Sequence, residues 1–154
     1  MRLSSLADYA VVMMTSVARR QSETGGGTAP CNAAVIAGAT GVPLPTAQKL
    51  VSRLAAAGLV ESARGTGGGF RLSRPAAAIS LADIIEAVEG PIAMTTCVDD
   101  NRDHCALDHH CSVKPHWGVV NEAVRGALAG VSLERLAGTP SIQPRDVLRV
   151  EVLA

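Results

Sequence analysis

The sequence of 154 residues is poor in aromatic side chains, which make up 2% of it as Tyr9, Phe70 and Trp117. Alanine is abundant instead, and because alanine has the highest helix propensity, the composition favours a helical fold. Alanine also fills little core volume, and a small domain with a thin core is marginally stable. We therefore expect a second copy of the chain to complete the core.

The sequence also lacks an apolar run that could cross a membrane, since a spanning helix needs about 20 residues. We do not expect the first residues to form a signal peptide, because Asp8 interrupts them and the apolar stretch before Arg19 is short. We expect a cytoplasmic protein without a membrane partner, in which thiols stay reduced. The four cysteines are then ligands, reactive thiols or core residues rather than disulfides.

A net charge is absent, because 14 basic side chains balance 14 acidic ones. The charge is nevertheless divided along the chain. Residues 1–75 hold eight Lys or Arg and three Asp or Glu, whereas residues 76–154 hold six and eleven. A basic first half followed by an acidic second half indicates a head that binds a polyanion, joined to a part with another task.

The basic half predicts three helices and a hairpin. Apolar residues at helical spacing predict helices over residues 3–20 and 45–57, and Asn32 is placed to cap a short helix between them. Residues 59–63 and 70–72 predict two strands joined by a glycine-rich tip. This order is typical of a winged helix-turn-helix, whose third helix enters the major groove of DNA.

The outward positions of the predicted third helix carry hydrogen-bond donors and no acid. Glutamine and lysine suit base edges or phosphates, and an arginine at the hairpin tip suits phosphate or a narrow minor groove. A solvated helix face and an ordinary turn would explain each feature alone, but their order and the basic charge favour double-stranded DNA. The predicted DNA-binding residues are Thr46, Gln48, Lys49, Ser52, Arg53 and Arg64.

The acidic half predicts a helix over residues 80–89, started by a capping box of Ser80 and Asp83, and a long helix over residues 115–129. One apolar stripe of the long helix suits either dimerisation or packing on its own domain. The stripe consists of Trp117, Val120, Val124 and Leu128.

The predicted fold class is mainly α: a winged helix-turn-helix with a small β-hairpin wing and a long C-terminal dimerisation helix. The DNA-binding domain covers residues 1–75. Residues 76–137 hold a capping helix, a cysteine loop at 92–112 and the dimerisation helix. The tail at 138–154 is expected to be partly disordered.

Three of the four cysteines and all four histidines lie between positions 97 and 116. Three thiolates on one loop can hold a soft metal centre, either zinc with one histidine or an iron–sulphur cluster with one further ligand. The gaps between Cys97, Cys105 and Cys111 exceed those of zinc knuckles and suit the larger cluster. A redox thiol pair and a solvated polar loop are the plainer alternatives. Cys31 is predicted to be a core or loop thiol.

The sequence holds no nucleophile–base pair and no cofactor fingerprint, so we expect no enzyme and no small-molecule substrate. An electron-transfer or catalytic iron–sulphur protein is a further class. It differs from a DNA-binding regulator because it predicts turnover or redox exchange and no salt-dependent DNA binding.

The order of these parts resembles the Rrf2 family of bacterial winged-helix regulators, and most closely its regulators of the Suf iron–sulphur assembly system. The resemblance covers residues 1–137. It is carried by MRLS with ADYA in the first ten residues, by GLV leading to RG and GGGFRL at 58–72, by ISLADII to EGP at 79–91, and by the three-cysteine loop.

The resemblance implies a homodimer formed through the helix after the cysteine loop, and operators with inverted half-sites. It also implies an iron–sulphur cluster held by the three loop cysteines, with the 2Fe–2S type favoured over 4Fe–4S. The residues that it matches to DNA-contacting positions are Gln48, Lys49 and Arg64. The implied fourth ligand is Asp8 from the partner subunit or, as an alternative, His116. The remaining histidines rank behind these two; they are His104, His109 and His110.

The expected function is that of a repressor of iron–sulphur assembly genes that senses its own cluster. The alternative is a winged-helix repressor with a structural zinc, or with a thiol-based redox or nitric oxide sensor, in the same loop.

Overall fold

The computed structural model describes residues 3–23, 31–63, 69–98 and 110–138. No helix in these ranges is both long and apolar enough to cross a membrane. Two short 3-10 turns, Ala76–Ala78 and Thr96–Val98, supplement the regular elements. Those elements are α1 Ser5–Glu23, α2 Ala33–Thr40, α3 Leu44–Ala56, β1 Val60–Ala63, β2 Gly69–Leu72, α4 Leu81–Glu89, α5 Lys114–Ala129 and α6 Leu133–Ala137.

The helix caps are the ones that the sequence predicts. The Asn32 side chain accepts a hydrogen bond from the Val35 amide at 2.8 Å, which satisfies a free donor at the start of α2. Ser80 and Asp83 form the predicted capping box of α4, with reciprocal bonds of 3.1 and 2.8 Å. Gly58 follows α3 with a φ of +71°, a left-handed conformation that glycine adopts without steric cost.

The core is built around α1, which contacts α2, α3, α4 and α6. Helix α1 buries Ala10, Met13, Met14 and Val17 in one cluster with apolar side chains from both halves of the chain. The helix predicted over residues 3–20 begins two residues later, at Ser5, and Leu3, which precedes it, is 42% exposed. The cluster residues from α3, α4 and α6 include Leu50, Leu54, Ile84, Val88 and Leu133.

The wing is a two-stranded antiparallel sheet in which Val60 pairs with Leu72 and Ser62 with Phe70. Phe70 also exchanges two backbone hydrogen bonds with Cys31, at 2.7 and 2.8 Å, which tie the chain before α2 to the wing. The predicted hairpin tip, with Arg64, and the predicted tail beyond residue 138 lie outside the described residues.

The second half is joined to the core through backbone bonds at the start of α4. The Leu81 amide donates to the Val131 carbonyl at 2.8 Å, and the Leu133 amide donates to the Ile79 carbonyl at 2.7 Å. These bonds hold the segment between α5 and α6 against the residues that precede α4.

Gly69 is predicted to be required for stability, because it lies where two backbones meet. A Cβ added at Gly69 would lie 2.7 Å from the carbonyl carbon of Cys31. Replacing Gly69 by alanine is therefore expected to lower the free energy of unfolding by about 1–3 kcal/mol. Urea unfolding followed by circular dichroism measures this loss.

The matched control is Gly38→Ala in α2. In the described part of the chain, no heavy atom lies within 4 Å of a Cβ added at Gly38. This variant is expected to gain roughly 0.5–1 kcal/mol, because alanine favours a helix interior. Equal effects of the two substitutions would contradict the close approach at Gly69.

Candidate nucleic-acid interface and cysteine site

One face of α3 is turned outward and carries polar side chains. Ala47, Leu50 and Leu54 are buried, while Gln48, Lys49 and Ser52 are exposed and Thr46 is half-buried. The Ser52 hydroxyl donates to the Gln48 carbonyl at 3.1 Å. Its oxygen still offers acceptor capacity.

The start of α3 suits an anion, because the first turn contains no acidic residue and the helix is 13 residues long. The first amides of a helix have no partner within it and suit an approaching phosphate, although Pro45 in this first turn has no N–H to donate. The segment before α3 turns at Gly41, whose φ is +75°. Helices α2 and α3 pack against each other, as in a helix-turn-helix.

Arg53 differs from the sequence expectation of an outward DNA contact. It is half-buried, and its Nη1 donates to the Val88 carbonyl oxygen at 2.5 Å. The last turn of α4 has no basic residue of its own. Arg53 therefore supplies the positive charge that the carbonyls at a helix C-terminus attract.

Two other arginines near the wing form ion pairs. Arg71 lies opposite Glu61 in the sheet, with 2.6 Å between Nε and Oε1, and Arg74 lies 3.2 Å from Asp83 Oδ2. The sequence alone suggests that both add positive charge beside the recognition helix. Their carboxylate partners offset much of that charge, so Lys49 is the exposed cation on the outward face of α3.

Cys97 and Cys111 lie at the two ends of the cysteine loop, and both are half-buried. Cys97 is in the 3-10 turn Thr96–Val98, which packs against α5, and its Sγ lies 3.1 Å from Thr95 Oγ1. Cys111 precedes α5 by three residues. The third predicted ligand, Cys105, lies outside the described residues, as do His104 and His109.

The donor chemistry of this site fits a soft metal centre. Thiolates bind iron–sulphur clusters and zinc and are poor ligands for hard cations such as magnesium. Within the described ranges, no three His, Cys, Asp or Glu side chains gather at one point. The predicted trio depends on Cys105 for its third member. The two proposed fourth ligands, Asp8 on α1 and His116 on α5, are exposed.

Cys31 is a core thiol, as predicted. It is buried among apolar residues of the main cluster. Burial raises the pKa of the Cys31 thiol, and the positive charge of Arg20 opposes this rise. A buried thiol with a raised pKa stays protonated and makes a poor ligand or nucleophile.

Helix α5 is attached to the protomer along one side. Of its predicted apolar stripe, Trp117, Val124 and Leu128 are half-buried, and Val120 is 42% exposed. Val119 beside this stripe is 73% exposed. Helix α5 contacts α4, which means that part of the stripe packs on its own domain.

Two polar contacts that the sequence did not predict hold α5 in place. Asn121, the buried residue of α5, accepts a hydrogen bond from the Met94 amide at 3.0 Å. The Glu86 carboxylate on α4 pairs with Arg125, with 2.9 Å between Oε1 and Nε. The detectable signal was an asparagine within an apolar stripe, because a buried amide requires a partner.

Comparison with known proteins identifies the family. A family model described as "Rrf2: Iron-dependent Transcriptional regulator" matches residues 3–139. The HTH-type transcriptional regulator IscR of Photorhabdus laumondii is 34% identical over 142 residues, which are 92% of this chain and 82% of the relative. IscR of Xenorhabdus nematophila is 35% identical over 136 residues, 88% of this chain and 79% of the relative.

Solved structures agree in fold. CymR, the global cysteine regulator of B. subtilis, has a TM-score of 0.69 and 29% identity, covering 89% of this chain and 96% of that one. IscR of T. potens has a TM-score of 0.67 and 25% identity, and 93% of each chain is covered. The mainly helical winged helix-turn-helix fold is thereby confirmed. The chain belongs to the Rrf2 family and is a DNA-binding transcriptional regulator similar to IscR, not an enzyme.

Proposed function

We propose that this protein is a homodimeric repressor of iron–sulphur assembly genes, regulated by an iron–sulphur cluster in its cysteine loop. The observation that carries the proposal is the position of Cys97 and Cys111. These thiols flank the segment between α4 and α5, and α4 contacts the recognition helix α3. The description of the family as iron-dependent supports the same assignment.

The proposed DNA interface consists of α3 and the hairpin tip. Gln48 and Lys49 read base edges or phosphates from the exposed face of α3, and the predicted tip residue Arg64 contacts phosphate or the minor groove. On the same helix, Thr46 adds a hydroxyl donor and Ser52 adds an acceptor, because the Ser52 hydrogen is donated to the Gln48 carbonyl. Arg53 is not part of this proposed set, since the Val88 carbonyl occupies its guanidinium.

The proposed dimer forms through α5. An exposed apolar side of a helix is stabilised when a second copy removes it from water. Val113, Val119 and Val120 are 50%, 73% and 42% exposed in the single chain. A dimer also presents two recognition helices to inverted half-sites, about 34 Å apart along DNA.

The proposed cluster ligands are Cys97, Cys105 and Cys111, with Asp8 of the partner subunit or His116 in the fourth position. A cluster of the 2Fe–2S type, with 4Fe–4S as the alternative, supplies redox and oxidant sensitivity when bound. Ligation holds the two ends of the loop in one arrangement, and loss of the ligated group frees them. This order–disorder change is the proposed switch of the spacing and tilt of the recognition helices.

A structural zinc or a thiol sensor in the same loop is the second candidate function. The half-burial of Cys97 and Cys111 favours it as well, because accessible thiols react with oxidants and bind zinc. Metal analysis separates this candidate from the cluster.

Lys49→Ala is expected to weaken operator binding by about 1–3 kcal/mol and to lower the slope of log affinity against log salt by about one per lost phosphate contact. The loss follows from the exposed position of Lys49 on α3. Arg64→Ala at the predicted tip is expected to act in the same direction. Fluorescence anisotropy over a salt series, with a duplex that the wild-type protein selects from a random DNA pool, measures both quantities.

The matched control is Arg135→Ala, which removes an exposed positive charge from α6. Helix α6 packs against α1 and the 3-10 turn Ala76–Ala78. Wild-type affinity in Lys49→Ala and Arg64→Ala would contradict the proposed docking of α3 and the wing.

Val120→Glu is expected to convert the dimer to monomers, because the proposed interface would bury an unpaired charge. Size-exclusion chromatography with light scattering measures the mass. Val35→Glu on α2 is the control, since Val35 is 40% exposed and Val120 is 42% exposed. A dimeric Val120→Glu variant, or a monomeric wild-type protein, would argue against the α5 interface.

Anaerobically purified protein is expected to be coloured and to contain iron and acid-labile sulphide, and the Cys105→Ala variant is expected to lack both. Absorption spectra with iron, sulphide and zinc assays test this. The control is Cys31→Ala, expected to keep the cluster because Cys31 lies in the core. Loss of cluster stability in Asp8→Ala or in His116→Ala identifies the fourth ligand.

Colourless protein without iron, even after reconstitution, would refute the cluster. Stoichiometric zinc in that protein would support the structural-zinc candidate. Metal-free protein with oxidant-sensitive DNA binding would support the thiol sensor.

A further inference from the structure

The recognition helix is bound to the end of α4 by one side chain. Arg53 lies in the last turn of α3, and its Nη1 reaches the carbonyl of Val88, 35 residues along the chain. Val88 is in the last turn of α4, one residue before Glu89 ends that helix. A charged donor on a partly buried carbonyl is among the stronger hydrogen bonds of proteins. A movement of the end of α4 is therefore transmitted to α3.

The end of α4 is also where the route to the cysteine loop begins. We call residues 90–98 the connecting segment. It leaves α4 at Gly90, whose φ of +89° allows the sharp change of direction, and it contains Cys97. Its Met94 amide is held by the Asn121 side chain of α5 at 3.0 Å, three residues before that thiol.

A second contact joins α4 itself to α5. Glu86 of α4 accepts hydrogen bonds from Arg125 Nε at 2.9 Å and from Arg125 Nη2 at 3.4 Å. Asn121 and Arg125 are one turn apart on α5. The connecting segment is thus fixed to α5 near Cys97, and α4, from which it leaves, is fixed to both α5 and α3.

We propose that Arg53 is a positioning residue that couples the cysteine loop to the recognition helix, along a route from Cys97 through the connecting segment and Val88 to α3. The assignment rests on the proposed role of α3 in DNA binding, and it does not depend on which metal the loop holds. Coupling between two sites is reciprocal, so DNA bound at α3 must alter the surroundings of Cys97.

The experiment measures the labelling rate of Cys97 in the metal-free, full-length protein. N-ethylmaleimide is added with and without a saturating amount of the duplex selected by the wild-type protein. Trypsin cleaves after Arg71 and Arg102, and the resulting peptide contains Cys97 as its one cysteine. Mass spectrometry of this peptide gives the rate without altering any cysteine.

In the wild-type protein, the duplex is expected to change the labelling rate of Cys97 severalfold. In Arg53→Met, which keeps the length of the side chain and removes its donors, the rate is expected to be the same with and without the duplex. Arg53→Lys keeps one charged donor and is expected to restore part of the change. The proposal would be overturned if the duplex left the Cys97 labelling rate of the wild-type protein unchanged. It would also be overturned if the duplex changed that rate in Arg53→Met as much as in the wild type.

Lys49→Ala is the matched control on the same helix. This variant is expected to need a higher duplex concentration for saturation. Once saturated, its Cys97 labelling rate is expected to change as much as that of the wild-type protein. If Arg53 were merely structural, Arg53→Met would lower the stability and the DNA affinity, but the saturating duplex would still change the labelling rate of Cys97. If it contacted phosphate, Arg53→Met would instead lower the salt slope of binding.

A second variant tests the route at its other end. Asn121→Ala removes the acceptor of the Met94 amide and leaves α3 untouched. It is expected to abolish the duplex-induced change as Arg53→Met does, and it tests the coupling independently if Arg53→Met does not fold. A full change in Asn121→Ala would overturn the proposed route.

A separate measurement distinguishes this inference from the proposed cluster. If reconstituted protein binds a cluster, the ratio of operator affinities between loaded and metal-free protein is expected to be about 5-fold or more in the wild type and close to one in Arg53→Met. If no preparation binds a cluster, the cluster proposal fails. The labelling result in metal-free protein still decides the role of Arg53.

Discussion

The burial of α1 is the constraint on which the rest of the structure depends. This helix contacts both helices of the helix-turn-helix and also α4 and α6. Alanine and methionine dominate its buried face, so the surrounding helices approach closely and share one core. Because α3 and α4 pack in the same cluster, a displacement of one helix alters the packing of the other.

Electrostatics divide the basic half into paired and unpaired charge. Glu61 and Asp83 pair with Arg71 and Arg74 near the wing. The Arg53 guanidinium donates a hydrogen bond to the Val88 carbonyl at the end of α4. Exposed ion pairs of this kind contribute little to stability. The carboxylates offset the charges of Arg71 and Arg74, and Lys49, next to Gln48, is the exposed cation of α3 in a chain whose net charge is zero.

Local signals made most of the fold predictable, and distant partners account for what was missed. The caps at Asn32 and Ser80 act within one turn, so they mark helix starts in the sequence. Leu3 fits the helical spacing but precedes the helix, because the Ser4 hydroxyl accepts the Ala7 amide at 3.1 Å and starts α1 after it. The half-buried position of Arg53 departs from the predicted outward one for another reason. Periodicity gives the face of a helix, and it gives no information on a carbonyl 35 residues away.

The candidate cysteine site was predictable only in part for the same reason. Clustered thiols at Cys97 and Cys111 are visible in the sequence, whereas their attachment to α5 depends on Asn121, which accepts a bond from a residue 27 positions earlier. This attachment makes regulation physically reasonable. A ligand shifts an equilibrium only by binding one arrangement more tightly than another. Cys97 lies in a turn that packs against α5, and Cys111 lies three residues before the same helix, so α5 positions both of the described thiols. In the coupling that we propose, the end of α4, which Arg53 binds to the recognition helix, is the point at which ligation of the cysteines acts on DNA binding.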